Sequence, residues 1–249
     1  MNISELPLKV IELNQGLYIT DCQYKGDVIF VTNKLVDDNY WNYAYVQNEN
    51  FDAASIEDYF KNLGLPPAIY LLENDVLEQK IKDAGFNLGF SDAIMVLDQK
   101  PLATTQKFEI KKVSDDKIEK DFLEVYRLVY ASAGDDIYSG LSDGYVKNVE
   151  DYFRSYPAGN RLDLVAYIDN QPVGVATALF DDEYAFLMNA AVSPRFRKMG
   201  VAKDLTNKLL SNVGDRFVLL STEKDSVNEV IWQKAGFKTV AVGNCYIKP

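Results

Sequence analysis

The sequence predicts an α+β chain built as two mixed-sheet domains in tandem, each with a central twisted sheet flanked by helices. Two observations carry this. The stretches "IYLLENDVLEQKIKDAGFNLGF" (69–90) and "FVLLSTEKDSVNEVIWQKAGFKTV" (217–240) present the same four elements in the same order. Each reads as an apolar strand, a short acidic turn, a helix ending at glycine, and a strand opening with phenylalanine. Between them, "DQKPLATTQK", Asp98 to Lys107, is polar, carries a proline and has no periodicity, which marks a linker. The expected domains are therefore 1–100 and 107–249.

The helices of the repeat carry apolar residues at helical spacing: Leu77, Ile81 and Ala84 in one, Val227, Val230, Ile231 and Ala235 in the other. Gly85 and Gly236 follow as C-terminal caps, where a left-handed residue is wanted. In the second half, "KFEIKKV" is a strand. "SDDKIEKDFLEVYRLVYA" is a helix opened by Ser114, with Lys117 where a capping box prefers Glu. "GYVKNVEDYFRSY" makes another helix. "RLDLVAYIDN" alternates, with Leu162, Leu164, Ala166 and Ile168 on one face, and Asp169-Asn170-Gln171 turns it into the strand "PVGVATALF". After Asp181-Asp182-Glu183 comes the strand "YAFLMNAAV", then Ser193-Pro194, then the helix "VAKDLTNKLLSNV", whose Val201, Leu205 and Leu209 form one buried face.

Composition narrows the chemistry. The chain has no histidine, which removes the Ser-His-Asp and Cys-His mechanisms and most zinc sites. Its two cysteines, Cys22 and Cys245, fit no metal spacing and no disulfide scaffold. A formal net charge of -11 argues against nucleic acid or an anionic membrane surface and favours a cationic or amine partner. No apolar stretch approaches the roughly 18 residues of a membrane span, and "MNISELPLKV" lacks the order of a signal peptide. A cytoplasmic protein without a metal is the expectation.

Against that acidic background, "RFRKMGVAKDL" (195–205) gathers positive charge before a glycine and a helix. Its pattern, Arg197-x-x-Gly200-x-Ala202, has a near copy in Gln171-x-x-Gly174-x-Ala176, and context separates the two. No helix follows Gly174, which sits at a hairpin and reads as structural. Gly200 stands at a strand-to-helix crossing, where the N–H groups of the first turn point outward and the helix dipole adds positive charge. Glycine there lets a ligand touch backbone, and Ala202 keeps the helix close to the sheet. This is phosphate-binding geometry. A charge-assisted hydrogen bond contributes about 1.5–3 kcal/mol, so a few amides with Arg197 can hold a pyrophosphate.

With these elements in order, residues 107–249 resemble the GNAT superfamily of acyl-CoA-dependent N-acyltransferases, most strongly from Tyr184 to Lys238. The first half resembles a degenerate copy, as in tandem GNAT proteins. It has no Arg-x-x-Gly-x-Ala stretch between "WNYAYVQNEN" and "IYLLEN", so one cofactor site per chain is expected. The resemblance implies that Ala190, Ala191 and Val192 form the splayed strand end that pairs with the pantetheine arm. It implies that Arg197, Lys198, Met199, Gly200, Val201 and Ala202 form the pyrophosphate loop, and that Asp225 lies near the cofactor on the following helix. Acetyl-CoA would be the co-substrate, attacked directly by a neutral amine. The implied activity is N-acetyl transfer to a primary amine of a small molecule, amino acid or peptide. A non-catalytic CoA-binding or regulatory module, and transfer of another acyl or aminoacyl group, are the alternatives.

Two positions depart from the family pattern. Asn189 stands where many members carry a carboxylate, and Trp232 where many carry a tyrosine acid. Asn189 is then expected to orient an amine or a water, Glu183 or Tyr184 to open a proton path, and Tyr246 or solvent to protonate the leaving thiolate. The segment "AGDDIYSGLSDGYVKNVED", with Asp135, Asp136, Asp143, Glu150 and Asp151 against Lys147, and with Tyr138 and Tyr145 among them, is the expected amine-selecting region.

Overall fold

A computed structural model describes residues 2–99, 105–131 and 140–248. The chain gathers into two compact units, Met1–Val96 with Ser221–Pro249, and Leu97–Leu220. The expected linker at Asp98–Lys107 lies partly outside the described residues. The units differ from the expected 1–100 and 107–249 chiefly in where Ser221–Pro249 is grouped.

The first unit opens with helix α1 (Leu6–Asn14) and continues through β1 (Asp21–Lys25), β2 (Val28–Thr32), β3 (Tyr43–Val46), α2 (Ala53–Asn62), β4 (Ala68–Leu72), α3 (Asp75–Asp83) and β5 (Asn87–Leu97). Strands β1, β2 and β3 pair antiparallel, and α2 then crosses over to β4, which is parallel to β3. Leu77 and Ile81 of α3 are buried as their spacing requires, in a core with Phe30, Ile56, Phe60 and Ile69. Gly85 takes a φ of 87°, the left-handed turn expected of it.

The second unit holds β6 (Glu109–Lys112), α4 (Asp116–Tyr126), α5 (Asp143–Ser155), β7 (Arg161–Ile168), β8 (Gln171–Phe180), β9 (Tyr184–Val192), α6 (Val201–Asn212) and β10 (Phe217–Glu223). Helix α4 is capped by Asp115 rather than by the expected Ser114. The carboxylate reaches two amides, of Lys117 and Ile118, each at 3.0 Å, and satisfies two of the donors a helix start leaves open. Past α4 the chain widens into a π turn, Arg127–Ala131.

Strands β6, β7, β8 and β9 pair antiparallel, and α6 crosses over to β10, parallel to β9. Each unit thus runs an antiparallel pair into a helical crossover and a parallel strand. Asp169 and Asn170, with φ of 49° and 63°, close the β7–β8 hairpin as a two-residue turn between partners Ile168 and Gln171. In β7 the alternation foresees one buried face, whereas residues 162–167 are all buried. The second face is covered as well: Tyr152 of α5 reaches Asp163, and Tyr167 donates to Asp121 of α4 at 2.8 Å.

The last segment adds α7 (Val227–Lys234) and β11 (Phe237–Ile247), and β11 pairs antiparallel with β4. The repeat's element order is present, with Gly236 at a φ of 96°. The expected apolar face of α7 is not buried. Val227, Val230 and Ile231 are 76%, 46% and 50% exposed. Ser226 caps the helix through the Glu229 amide at 3.2 Å, and the Glu229 carboxylate accepts from the Asp225 amide at 2.7 Å and from the Thr239 hydroxyl at 2.5 Å. Those bonds turn Glu229 inward and the valines outward. Among the described residues no helix is long and apolar enough to cross a membrane.

Gly174 has the packing role its hairpin position suggests. A Cβ there would lie 2.9 Å from Cγ1 of Val201, 3.1 Å from Cδ1 of Leu205 and 3.3 Å from the Ala191 carbonyl oxygen. The missing side chain lets the first turn of α6 sit on β8. Gly174→Ala should cost about 1–3 kcal/mol of unfolding free energy, read by urea titration. With Val201→Ala added, the double variant should lose less than the sum of the single losses. Simple additivity would show that the contact is not limiting.

Candidate functional site

The second unit's β9 carries a bulge. Val175 pairs with Ala191 and Thr177 with Met188, so Asn189 and Ala190 together oppose Ala176. Asn189 takes a φ of 52°. This left-handed conformation is costly for most side chains and is tolerated by Asn and Asp, whose short polar groups bond locally. The residue type at 189 therefore has a backbone reason before any catalytic one. The recorded β9–β10 pairing joins Tyr184–Phe186 to Phe217–Leu219, while β9 continues to Val192. Ala190, Ala191 and Val192 thus lie on the part of β9 beyond that pairing. Ala190 is exposed and Ala191 buried.

From the end of β9 the chain passes through buried Ser193 and a short 3-10 turn, Pro194–Phe196, into the loop before α6. The Arg197 Nε donates to the Val192 carbonyl at 3.1 Å, pinning the loop to the strand end. Lys198 and Gly200 both have positive φ, 65° and 99°. Gly200 is the N-cap of α6 and has no side chain to bond the first-turn amides. The one first-turn acid, Asp204, faces elsewhere. It is buried and accepts from the backbone amides of Lys107 and Phe108 at 2.6 and 3.3 Å. Arg195, Lys198 and Lys203 are exposed and make no ion pair among the described residues. Uncapped amides, a helix dipole and several cations therefore coincide, and this combination suits a phosphate.

The corresponding crossover in the first unit is built differently. Its helix α2 begins at Asp52, whose carboxylate accepts the Ala54 amide at 3.1 Å. A negative side chain already occupies that helix start. The shallow depression beside α3, lined by residues 47–50 with Asn74, Val76 and Leu77, has no arginine or lysine in its lining.

A polar row missed by the sequence reading runs across the second unit's sheet to the bulge. Asp163 and Thr177 are register partners on β7 and β8, and the Thr177 hydroxyl donates to Asp163 Oδ1 at 2.8 Å. The Asn189 Nδ2 donates to Thr177 Oγ1 at 3.4 Å. The Tyr152 hydroxyl lies 3.1 Å from both Asp163 oxygens, and the Arg161 Nε is 3.7 Å from Oδ2. Arg161 also donates to the carbonyls of Tyr152 and Phe153, tying the end of α5 to β7. Asp163 is only 3% exposed. Burial pushes its carboxyl up to about 6, against the lowering effects of Thr177, Arg161, Tyr152 and Lys112. The available signal was an aspartate inside the otherwise apolar run "LDLVAYI".

The remaining expected residues are placed elsewhere. Glu183 is exposed in the turn before β9, its amide bonded to Asp181 at 2.8 Å. Asn189 is six positions further along the strand, roughly 20 Å at the usual strand rise, so Glu183 opens no proton path at the bulge. Tyr184 lies at the same end, edge-on to Phe217 at 5.6 Å. Tyr246 is 1% exposed in the first unit's core and donates to Glu78 at 2.6 Å. Burial and then Glu78 raise its pKa far above the usual phenol range. Its proton is committed to that carboxylate, and the expected acid role is not carried further. Trp232 packs edge-on to Phe237 at 5.4 Å, and Asp225, exposed and at a φ of 61°, pairs with Lys224 at 3.0 Å.

Asp135, Asp136 and Tyr138 lie outside the described residues. Of the other acids in that segment, Glu150 pairs with Arg127, and Asp151 with Lys147 and with Arg154. Asp143 stands in the first turn of α5, where the dipole favours a negative charge. Two of the three described acids of the segment are thus paired, Asp151 partly with Lys147 inside it and Glu150 with Arg127 outside it.

Residues 127–232 match the acetyltransferase (GNAT) family. Among solved structures, a functionally unknown conserved protein from Staphylococcus epidermidis is 17% identical, with 99% of each chain covered and a TM-score of 0.72. A GCN5-related N-acetyltransferase from Kribbella flavida is 13% identical over 100% of this chain and 96% of that one, with a TM-score of 0.68. A tandem GNAT protein from the clavulanic acid biosynthesis pathway is 10% identical, over 88% of this chain and 77% of its own, with a TM-score of 0.58. At these identities the likeness is one of fold. No curated protein sequence matches the chain.

The buried carboxylate makes stability pH-dependent with a definite sign. Asp163 holds its proton more tightly folded, near 6, than unfolded, near 3.8. Its favourable contribution is complete at low pH and is lost as pH rises toward the folded value. Relative to Asp163→Asn, the parent should lose about 1.4 kcal/mol of unfolding free energy between about pH 5 and pH 7.5, read by urea titration at both. A difference that stays flat would place the titration elsewhere.

Proposed function

We propose, from the premise that residues 127–232 form a GNAT acetyltransferase domain, that this protein transfers the acetyl group of acetyl-CoA to a primary amine of a small molecule, amino acid or peptide. The observation that carries the reading is the uncapped, glycine-started α6 directly after the bulged end of β9. Acyl-CoA brings an activated thioester and a leaving thiol whose pKa is near the cysteine value of about 8.5.

The first-turn amides of α6, with Arg197 and Lys198, suit the pyrophosphate. The backbone of Ala190, Ala191 and Val192 suits an extended amide-bearing arm, in the way a strand edge takes another strand. Asn189 orients the amine at the bulge. Alignment of the two reactants supplies much of the acceleration, and directed backbone donors supply more. Solvent protonates the leaving thiolate, since Tyr246 is bonded to Glu78. An acidic molecule suits an amine that arrives as a cation, because its long-range field favours that encounter.

Calorimetry with acetyl-CoA on the full chain should give one site per chain, because Asp52 already caps the corresponding helix of the first unit. Gly200→Glu should weaken binding at least a hundredfold. A Cβ at Gly200 meets nothing within 4 Å, so the loss arises from the left-handed φ and the added negative charge. Gly200→Asn, which tolerates that φ, should keep most of the affinity and serves as the folding control. Two equal sites, or unchanged affinity in Gly200→Glu, would overturn the assignment. Thiol release on a panel of amines and acyl donors then tests turnover and acyl choice.

A further inference from the structure

We propose that the first unit holds a binding site for a small primary alkylammonium ion, built around the Asp92 carboxylate. The site lies wholly within that unit and stands independently of the acetyltransferase reading. Asp92, on β5, is only 5% exposed. Its hydrogen-bond donors among the described residues are two tyrosine hydroxyls, Tyr40 on Oδ1 and Tyr70 on Oδ2, both at 3.5 Å. Among the described residues no lysine or arginine acts on it. A carboxylate offers about four acceptor sites, and hydroxyls that bond it well stand about 2.5–2.7 Å away. A buried charge met only by two long contacts calls for a cation or a proton. Two oxygens 3.5 Å apart can share one ammonium nitrogen at about 2.9 Å from each. The carboxylate and its two hydroxyls thus supply acceptors for the three N–H groups of a primary ammonium.

Both tyrosines are held in place for this arrangement. A Cβ at Gly243 of β11 would lie 1.8 Å from the Tyr70 hydroxyl oxygen and 2.3 Å from Cζ, so only glycine there leaves the hydroxyl its seat. Tyr40 belongs to the loop after β2, which two buried asparagines stitch together. The Asn42 Oδ1 accepts from the Asn33 amide at 2.8 Å, and its Nδ2 donates to the carbonyls of Val36 and Asp38 at 3.0 and 2.8 Å. Asn33 in turn donates to the Tyr18 carbonyl at 2.7 Å and accepts from the Leu35 amide at 2.8 Å. Such a loop has little freedom left to lose on binding.

The Tyr40 ring stacks on Phe90 at 5.3 Å, and Phe90 shares a strand face with Asp92 two residues on. Trp41 lies edge-on to Tyr40 at 5.2 Å. Tyr40 and Phe90 are half-buried where Asp92 is buried, so an aromatic wall beside the carboxylate reaches the surface. It suits an alkyl chain, and its ring electrons favour a cation. The charge acting on Asp92 from β10 is that of Glu223, which is negative as well, while Tyr43 on β3, Tyr70 on β4 and Cys245 on β11 are held neutral by burial. Burial pushes Asp92 up to about 7, so an ammonium ion and a proton compete for the same carboxylate.

The test follows the Asp92 carboxyl carbon by carbon-13 NMR on the full chain, with n-propylammonium chloride as the probe, cationic below about pH 9. Saturating probe should lower the Asp92 midpoint by at least about one pH unit, because the ion binds the carboxylate at least tenfold better than the acid. At pH 8 binding should saturate by about 10 mM. Tetramethylammonium, which has no N–H to give, and sodium should leave the midpoint in place at equal ionic strength. A midpoint unmoved by the probe, or moved equally by tetramethylammonium or sodium, would overturn the site. Calorimetry with the same probe should show binding lost in Asp92→Asn and weakened at least tenfold at pH 8.5 when Tyr40→Phe and Tyr70→Phe are combined. Unchanged affinity in either variant would overturn the assignment, and the tyrosine pair decides it if Asp92→Asn does not fold. Acetyl-CoA takes no part in these measurements, so their failure leaves the acetyltransferase reading where it stands.

Discussion

One surplus residue in β9 governs the second unit. Asn189 and Ala190 occupy the space opposite Ala176, and the strand can absorb two residues against one only by bending and by letting one of them adopt a left-handed backbone. Asn189 does so. Past the bulge the strand end leads through Ser193 and Pro194 into the loop that Arg197 pins to Val192. The same strand end bounds the position of α6, since the Ala191 carbonyl is among the atoms that leave no room for a side chain at Gly174. Bulge, loop and helix start are thus one mechanical unit, and a polar side chain at 189 is a consequence of the backbone before it is an instrument of chemistry.

The two crossover helices show how a shared topology leaves a helix start open or closes it. Both follow an antiparallel strand pair and lead to a parallel strand. Helix α2 satisfies its first turn with the Asp52 carboxylate, worth about 1 kcal/mol of helix stability. Helix α6 forgoes such a cap at Gly200 and turns its first-turn acid toward Lys107 and Phe108. Amides left open in this way cost stability unless water or a ligand meets them. The exposed cations on the same loop add mutual repulsion. Both features are unfavourable in isolation, and both become favourable when a polyanion binds.

Much of this was legible in the sequence where a single residue type answers a backbone demand. Gly85 and Gly236 mark helix ends, Asp169-Asn170 marks a hairpin, and Gly200 before an apolar helix marks the open N-terminus. The two near-identical motifs at Gly174 and Gly200 were separable because only one precedes a helix. Periodicity served less well where burial is decided by neighbours distant in sequence. The apolar spacing of α3 is buried, whereas the similar spacing of α7 faces outward because Glu229 is drawn in by Asp225 and Thr239. The alternation of β7 described one face and passed over Asp163 on the other. Its partners come from α5 and β8, and no local pattern joins Tyr152, Asp163 and Thr177.

The absence of histidine gives those buried carboxylates a further significance. A chain without imidazole has no side chain whose ordinary pKa lies near neutrality. Here burial moves two aspartates toward that range, Asp163 to about 6 and Asp92 of the first unit to about 7. Asp92 is only weakly relieved, by Tyr40 and Tyr70 hydroxyls both at 3.5 Å, while Thr177 and Tyr152 hold Asp163 more closely. Both groups bind protons more tightly folded than unfolded, so both withdraw stability as pH rises from about 4 to 7. A fold under no other demand would lose that cost by placing an amide or an apolar residue at either position. At Asp163 the ionised form has a task that the neutral one cannot perform, since only the carboxylate compels the Thr177 hydroxyl to point one way. The energy stored in desolvating that charge is what gives the Thr177 hydroxyl, bonded to it at 2.8 Å, a single direction rather than two.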